Sequence, residues 1–200
     1  MKFEKFAQKL QELEQEPSRT AMTKILAEIF QDASAAEAEI IAYFSLGSLF
    51  APYQDVQFNI ANKGIISILA LLTGQSESTI QKHFKDVGDL GLVVQNLWQG
   101  NDAGMSILQV HEQLVDLAKI SGTGSTEKKS EHVQKILKNV DSLGAKFIVR
   151  MISKTLRLGF SDMTILDALS WMVSGDKSHS KDLEAAYNVC ADLGLVAKTL

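Results

Sequence analysis

Apolar positions along the chain recur with three- and four-residue spacing, and polar residues fill the positions between them. In the opening segment this spacing gathers one apolar face of a helix, formed by Phe3, Phe6, Leu10 and Leu13. No stretch shows a convincing two-residue alternation of the kind that a half-buried strand requires. Only two prolines interrupt the 200 residues. The pattern predicts an all-α chain.

A second helix is expected directly after Pro17-Ser18, because proline and serine are favoured where helices begin. The spacing predicts further helices near residues 37–50, 63–72, 77–84, 106–120, 126–140, 143–156, 163–173 and 181–189. Glycine-containing breaks such as 73–76 and 121–125 separate them, and none is long enough for an interdomain linker. We therefore expect a single all-α domain of about ten helices over residues 1–200.

A short internal repeat is visible in the sequence. The letters DLGLV at 89–93 return at 192–196, and a looser pair of blocks lies upstream at 58–66 and 157–165. We expect an approximate internal two-fold repeat, although the blocks agree so poorly that chance explains them equally well. Such a duplication either serves packing alone or presents two equivalent loops to a ligand with its own two-fold symmetry, such as duplex DNA.

The composition narrows the class of protein. Hydrophobic residues make up 46% and charged residues 22%, which excludes disordered, collagen-like and coiled-coil chains. No apolar run reaches transmembrane length and the charged first residues do not form a signal peptide, so we expect no membrane partner and a cytoplasmic protein. A single cysteine, Cys190, excludes an internal disulfide framework and a cysteine-based zinc site.

The overall charge of −4 conceals a basic region. Residues 128–157 hold eight basic and two acidic side chains, a net of +6, and the other residues carry −10. The spacing predicts a stripe of basic side chains on one helix, opposite its apolar side, and this stripe consists of Lys146, Arg150, Lys154 and Arg157. A second basic face is predicted on the preceding helix, and it consists of Lys128, His132 and Lys135. Such a stripe is either a solvated face or a surface that binds an anion such as nucleic acid.

A glycine-rich loop precedes the basic region. It reads SGTGSTEKK over residues 121–129 and ends where a helix is expected to begin. Glycines allow close approach of the backbone, and the free amides, hydroxyls and lysines of such a turn suit phosphate binding. The alternative is an ordinary turn in which Ser125 or Thr126 caps the helix, and both interpretations can hold together.

The sequence around this loop resembles a known family. Three runs carry most of the resemblance, GTGSTEKK at 122–129, LGAKFIVRMISKTLRLG at 143–159 and TILDAL at 164–169, and shorter matches lie at 18–19, 49–53 and 88–91. In this order they are similar to the N-terminal DNA-binding domain of ATP-dependent DNA ligases of the archaeal and eukaryotic replicative type. Thr126 stands where glutamine is usual and Gly144 where glutamate is common, and 62–64 match loosely.

The resemblance implies a helical domain that grips the minor groove on both sides of a nick without reading sequence. The implied partner is nicked double-stranded DNA, and a sliding clamp is a further partner of the full-length protein. The resemblance also implies a monomer, roles in replication, repair and recombination, and association with the nucleoid if the protein is prokaryotic. Carried onto this sequence, it implies DNA contacts at Asn62, Lys63, Gly122, Gly124, Ser125, Thr126, Lys128, Lys129, Arg150, Lys154, Arg157 and Gly159. From the residues alone, Arg150 and Arg157 can equally well cap helix carbonyls.

The resemblance places the sealing chemistry outside this chain. Full-length enzymes of this type use ATP and Mg²⁺ and a lysine in a K-x-D-G setting, which does not occur in these 200 residues. We therefore expect no catalytic, cofactor or metal site here, and a piece of a longer ligase that lacks the adenylation and OB-fold domains and is inactive alone. The alternative is a helical scaffold that binds a protein partner through an apolar patch and has no affinity for DNA.

Overall fold

The computed structural model describes residues 1–200, and all of its named secondary-structure elements are helices. The prediction of an all-α domain is confirmed, with twelve α-helices in place of about ten. None of the helices is both long and apolar enough to cross a bilayer. A 3₁₀ helix covers Pro52–Gln54, and the α-helices are α1 Phe3–Gln15, α2 Arg19–Gln31, α3 Ala35–Ser45, α4 Asn62–Thr73, α5 Glu77–Val87, α6 Leu90–Leu97, α7 Ile107–Lys119, α8 Ser125–Lys138, α9 Ser142–Ile152, α10 Asp162–Ser174, α11 Ser180–Cys190 and α12 Leu193–Thr199.

Two helices and two helix ends differ from the prediction. Helices α6 and α12 were not predicted, because with eight and seven residues they are too short to show a helical period over several turns. Helix α3 ends at Ser45 instead of near residue 50, and α9 ends at Ile152 instead of near 156. After α9 the backbone of Lys154 is left-handed, with φ of 56°, so the helix cannot continue through it.

Side-chain caps account for most of the helix starts. A serine or aspartate just before the helix accepts a hydrogen bond from a first-turn amide and so satisfies a donor that lacks a helical partner. These capping residues are Ser18, Ser34, Ser76, Asp89, Ser106, Asp141 and Asp192. Helices α4, α8, α10 and α11 have no such bond.

The chain divides into two compact units. Unit 1 consists of Met1, Gln8–Val56 and Arg157–Leu200, and unit 2 of Lys2–Ala7 and Gln57–Leu156. Within unit 1, α10 packs on α2 and α12 packs on α3. Within unit 2, α9 packs on α6, and α4 lies beside α5 and α8.

Helix α9 is buried along almost its whole length. All ten residues from Leu143 to Ile152 are buried, including Lys146 and Arg150. The prediction of a basic stripe on this helix is therefore wrong in two respects: Lys146 and Arg150 are buried, and Lys154 and Arg157 lie beyond the helix. A helix that is covered on all sides buries even its charged positions, provided that partners compensate them.

The repeated DLGLV letters form the same local structure in each unit. Asp89 caps α6 and Asp192 caps α12. A Cβ on Gly91 would lie 2.7 Å from the Lys146 carbonyl oxygen, and one on Gly194 would lie 2.3 Å from Cζ of Tyr43, so both glycines allow a neighbouring helix to approach closely. The five-residue identity thus encodes a capped start and a close helix contact. The two-fold repeat as a whole stays a prediction.

Candidate nucleic-acid interface

The predicted phosphate loop is an exposed turn that leads directly into α8. Gly122 and Gly124 have φ of 81° and 73°, a conformation that side chains other than glycine rarely adopt, and a Cβ on either would meet nothing within 4 Å. Gly124 is the residue that precedes the helix and has no side chain to cap it. The alternative in which Ser125 or Thr126 caps α8 is therefore wrong, since both lie inside the first turn.

The start of α4 also lacks a side-chain cap. It is preceded by Ala61, which provides no side-chain hydrogen bond, and its first residues Asn62 and Lys63 are exposed. The remaining helices that lie wholly in unit 2, α5, α6, α7 and α9, are each capped by their own serine or aspartate. The first-turn amides of α4 and α8 thus have no side-chain acceptor, and both helix starts carry the partial positive charge of the helix dipole.

Both uncapped helix starts border one groove. The groove has a volume of about 730 Å³ and is lined by α4, the first turns of α8 and the segment before α4, including Ala61, Gly64, Ser125 and Thr126. A second groove of about 410 Å³ lies between Gln57–Ala61 and Ile152–Lys154. The segment 57–61 is shared by the two grooves.

The groove that α4 and α8 border has an apolar part, which includes Ile60, Ile68 and Leu71, and a polar part of mixed charge. Hydroxyls of Ser125, Thr126 and Ser130 line it together with the carboxylates of Glu127 and Glu131. Lys63 and Lys128 are exposed on the first turns of α4 and α8, and Lys135 and Lys138 are exposed farther along α8. No group of three or more His, Cys, Asp and Glu side chains is arranged to hold a metal ion.

Lys129 differs from its exposed neighbour Lys128. Its side chain is buried, with 9% of the residue exposed, and its Nζ donates a hydrogen bond of 2.7 Å to the carbonyl oxygen of Phe58. Phe58 lies in the segment that the two grooves share, and its ring is also buried. Lys129 therefore joins α8 to the chain that leads into α4.

Arg150 is held by a carboxylate inside unit 2. Its Nε and one terminal nitrogen lie 2.8 Å and 2.7 Å from Oδ2 of Asp89, and the arginine side chain is only 7% exposed. The Asp89 Oδ1 accepts bonds from the amides of Gly91 and Leu92. Burial acts to raise the pKa of Asp89, but the Arg150 guanidinium and the two amides together hold it below its ordinary value.

The remaining predicted contacts lie before and after the point in the sequence where the chain passes from unit 2, which ends at Leu156, to the second part of unit 1. Lys154 is exposed and lines the second groove of unit 2. Arg157 and Gly159 are exposed in the first residues of the second part of unit 1, just before the uncapped start of α10. Gly159 has φ of 80°, as a tight turn requires. The structure thus brings together the predicted residues at the starts of α4 and α8, and it separates Arg150 from them by burial.

The sequence did not point to two groups that shape this surface. Asp89, the partner of Arg150, stood in the repeated DLGLV letters, but they gave no sign that its carboxylate would bind an arginine. Residues 58–61 of the segment 57–61 belong to the looser repeat block, but none of them was among the predicted DNA contacts. A further local signal is Asn59, a residue that tolerates the left-handed backbone found there, with φ of 52°.

Comparison with known proteins gives a consistent result. The chain matches the family described as DNA ligase N terminus over residues 2–170. A probable DNA ligase from Persephonella marina is 33% identical over 204 residues, which cover 100% of this chain and 35% of the relative. DNA ligase 1 from Methanosarcina acetivorans is 32% identical and the DNA ligase of Nitrosopumilus maritimus is 30% identical, each over 100% of this chain.

The chain spans about a third of the length of these relatives, since it covers 35%, 34% and 35% of them. The family match extends over most of the chain, from α1 into α10, and includes the glycine loop, the starts of α4 and α8 and the Arg150–Asp89 pair. On this evidence the chain belongs to the DNA ligase N-terminal family.

Proposed function

We propose that this chain binds double-stranded DNA at nicks, through the sugar-phosphate backbone and without reading sequence, as the DNA-holding part of a DNA ligase. The observation that carries the proposal is the pair of helix starts, of α4 and α8, that border one groove and alone among the helices wholly in unit 2 have no side-chain cap. The Ser125 amide donates to the Gly122 carbonyl oxygen, and the other amides at the beginning of these two helices are available to acceptors from outside the chain.

Phosphate is the acceptor that this arrangement fits. Helix starts combine several converging amide donors with partial positive charge, which favours anions. The exposed glycines of the 122–124 turn allow a strand to approach the backbone, and Ser125, Thr126, Lys63 and Lys128 add hydroxyl and ammonium donors. Donors of this kind fix the position of a duplex but distinguish no base, so we expect equal affinity for unrelated sequences.

Unit 1 offers a second set of donors of the same kind. Arg157 and Gly159 precede α10, whose start is also uncapped, and its first residue Asp162 has its carboxylate bound by the hydroxyl of Tyr187 at 2.6 Å. We propose that these residues and Lys154 also contact backbone phosphates. Arg150 and Lys129 are buried and hydrogen-bonded, and we assign them to support of the surface.

The activity of the whole protein is part of the proposal. Nick sealing with ATP and Mg²⁺ would reside in regions that correspond to the remaining two thirds of the relatives. Replication, repair and recombination are the expected settings, a sliding clamp the expected further partner and a monomer the expected state. The observation that supports this step is that relatives named DNA ligase align with the whole of this chain over about a third of their own length.

The test compares two charge-matched double variants. Lys63→Ala with Lys128→Ala removes the lysines at the two uncapped helix starts. Lys82→Ala with Lys85→Ala removes two exposed lysines of α5, a helix that is capped by its own Ser76. Fluorescence anisotropy with nicked duplex is recorded at several salt concentrations. Each phosphate contact contributes about 0.9 to the steepness with which the logarithm of the binding constant falls with the logarithm of the salt concentration. The double variant of Lys63 and Lys128 should therefore show a slope that is shallower by up to ~2, and the double variant of Lys82 and Lys85 an unchanged slope.

Two outcomes would contradict the proposal. One is an equal decrease of the salt slope in the double variant of Lys82 and Lys85, which would mean that DNA responds to the overall positive charge and not to the two helix starts. The other is the absence of duplex binding by the wild-type chain at low salt, and salt-insensitive binding to a protein partner would then favour the scaffold alternative.

A further inference from the structure

The segment 57–61 lies between two grooves, and Lys129 joins it to α8. It forms no helix or strand, and Phe58, Asn59 and Ile60 take part in no backbone-to-backbone hydrogen bond. The grooves that flank it have volumes of about 730 Å³ and 410 Å³. Two of its contacts are the buried ring of Phe58 and the bond from the Lys129 ammonium to the Phe58 carbonyl oxygen.

This segment determines where α4 begins. Asn59 turns the chain through a left-handed conformation, and Ala61 then leads into the first turn of α4. Lys129 projects from the second turn of α8, close to the exposed first turn that includes Ser125 and Thr126. One hydrogen bond therefore ties the uncapped start of α4 to the uncapped start of α8.

We propose that Lys129 is a positioning residue for DNA binding. Its ammonium fixes the Phe58 carbonyl against α8, and this bond keeps the starts of α4 and α8 at the spacing at which both receive phosphates of one DNA strand. Lys129 itself touches no phosphate. The inference rests on the proposed function and assigns Lys129 a different role from the DNA contact that the family resemblance implies.

Burial and geometry favour this role over a direct contact. An ammonium has three N–H donors, and one of those of Lys129 is held by the Phe58 carbonyl at 2.7 Å. With 9% of the residue exposed, the other two have little open surface through which a phosphate could approach. Lys128, the preceding residue, is exposed and faces no such cost. The two adjacent lysines thus form a natural pair of test and control.

The main experiment compares Lys129→Met with Lys128→Met in the full 200-residue chain. Both variants lose one positive charge. Lys129→Met should weaken binding to nicked duplex about tenfold, because a charge-assisted hydrogen bond that orders the site is lost, and should leave the salt slope unchanged. Lys128→Met should lower the slope by about 0.9, as loss of one phosphate contact predicts. Lys129→Arg, which keeps a charged donor, should recover most of the affinity.

A slope that falls equally in both variants, or unchanged affinity of Lys129→Met, would overturn the inference. A second measurement needs no variant: acetylation of lysines in the wild-type chain, free and bound to nicked duplex, read by mass spectrometry. Lys129 should stay unreactive in both states, and Lys128 should react only in the free chain. DNA protection of a reactive Lys129 would refute the positioning role, whereas failure of DNA to protect Lys128 would count against the proposed function instead.

Discussion

The ion pair between Arg150 and Asp89 lies inside unit 2, and the variant Arg150→Met separates a structural role of the arginine from a contact with DNA. Methionine keeps an apolar stem in the buried position but removes the guanidinium. The two bonds of 2.8 Å and 2.7 Å to Asp89 are lost, and the carboxylate keeps only the amides of Gly91 and Leu92.

The expected cost follows from the burial of the two partners. Removing one member of a buried ion pair costs about 3–5 kcal/mol, because an uncompensated charge is left behind. The Asp89 side chain is 21% exposed and retains its two amide donors, so the lower end of this range applies, about 3 kcal/mol. For a chain of this size, this cost corresponds to a decrease in Tm of about 6–12 °C.

Urea and thermal unfolding measure this cost directly. Arg19→Met serves as the control, since Arg19 is exposed and a surface substitution changes stability by about 0.5 kcal/mol or less. The reasoning would be refuted if Arg150→Met were as stable as Arg19→Met and at the same time lowered the salt slope of DNA binding. That pair of results would make Arg150 a phosphate contact.

Two further predictions concern the same helix contact. Gly91→Ala should cost about 3 kcal/mol or more in urea unfolding, because its Cβ would meet the Lys146 carbonyl at 2.7 Å. Gly88→Ala, with φ of 73° and no atom within 4 Å, should cost only the roughly 1–2 kcal/mol of a left-handed backbone. The second concerns acid: the pKa of Asp89 is lower in the folded chain than its ordinary 3.8, so its stabilisation is full above that value and is lost as the pH falls through the folded pKa. Wild-type stability should therefore fall more steeply below about pH 4 than that of Arg150→Met, and parallel curves would contradict this.

The amphipathic helices could be predicted because their apolar spacing records which face is buried. Helix α8 is an example, since its regularly spaced apolar residues Val133, Ile136 and Leu137 are buried and Lys128 is exposed. Helix α9 was misread for the converse reason. It is covered on all sides, and the spacing of its charges does not reveal that Asp89, 61 residues away, neutralises Arg150.

The candidate site could be predicted in part. The glycines at 122 and 124 and the lysines after them indicate a turn before a helix from local sequence alone. The role of Lys129 could not be predicted in this way, because its partner is a backbone carbonyl 71 residues away and backbone atoms leave no mark in the sequence. The sequence therefore predicts the local chemistry of the turn, but it does not predict which distant residues its side chains contact.

The most direct test of the central claim is the affinity of the wild-type chain for nicked duplexes of two unrelated sequences, measured over a series of salt concentrations. The account predicts that log K falls linearly with log salt, with the same slope and nearly the same affinity for both sequences, because phosphates release counterions and bases are not read. Binding that ignores salt, or that clearly prefers one sequence, would contradict it.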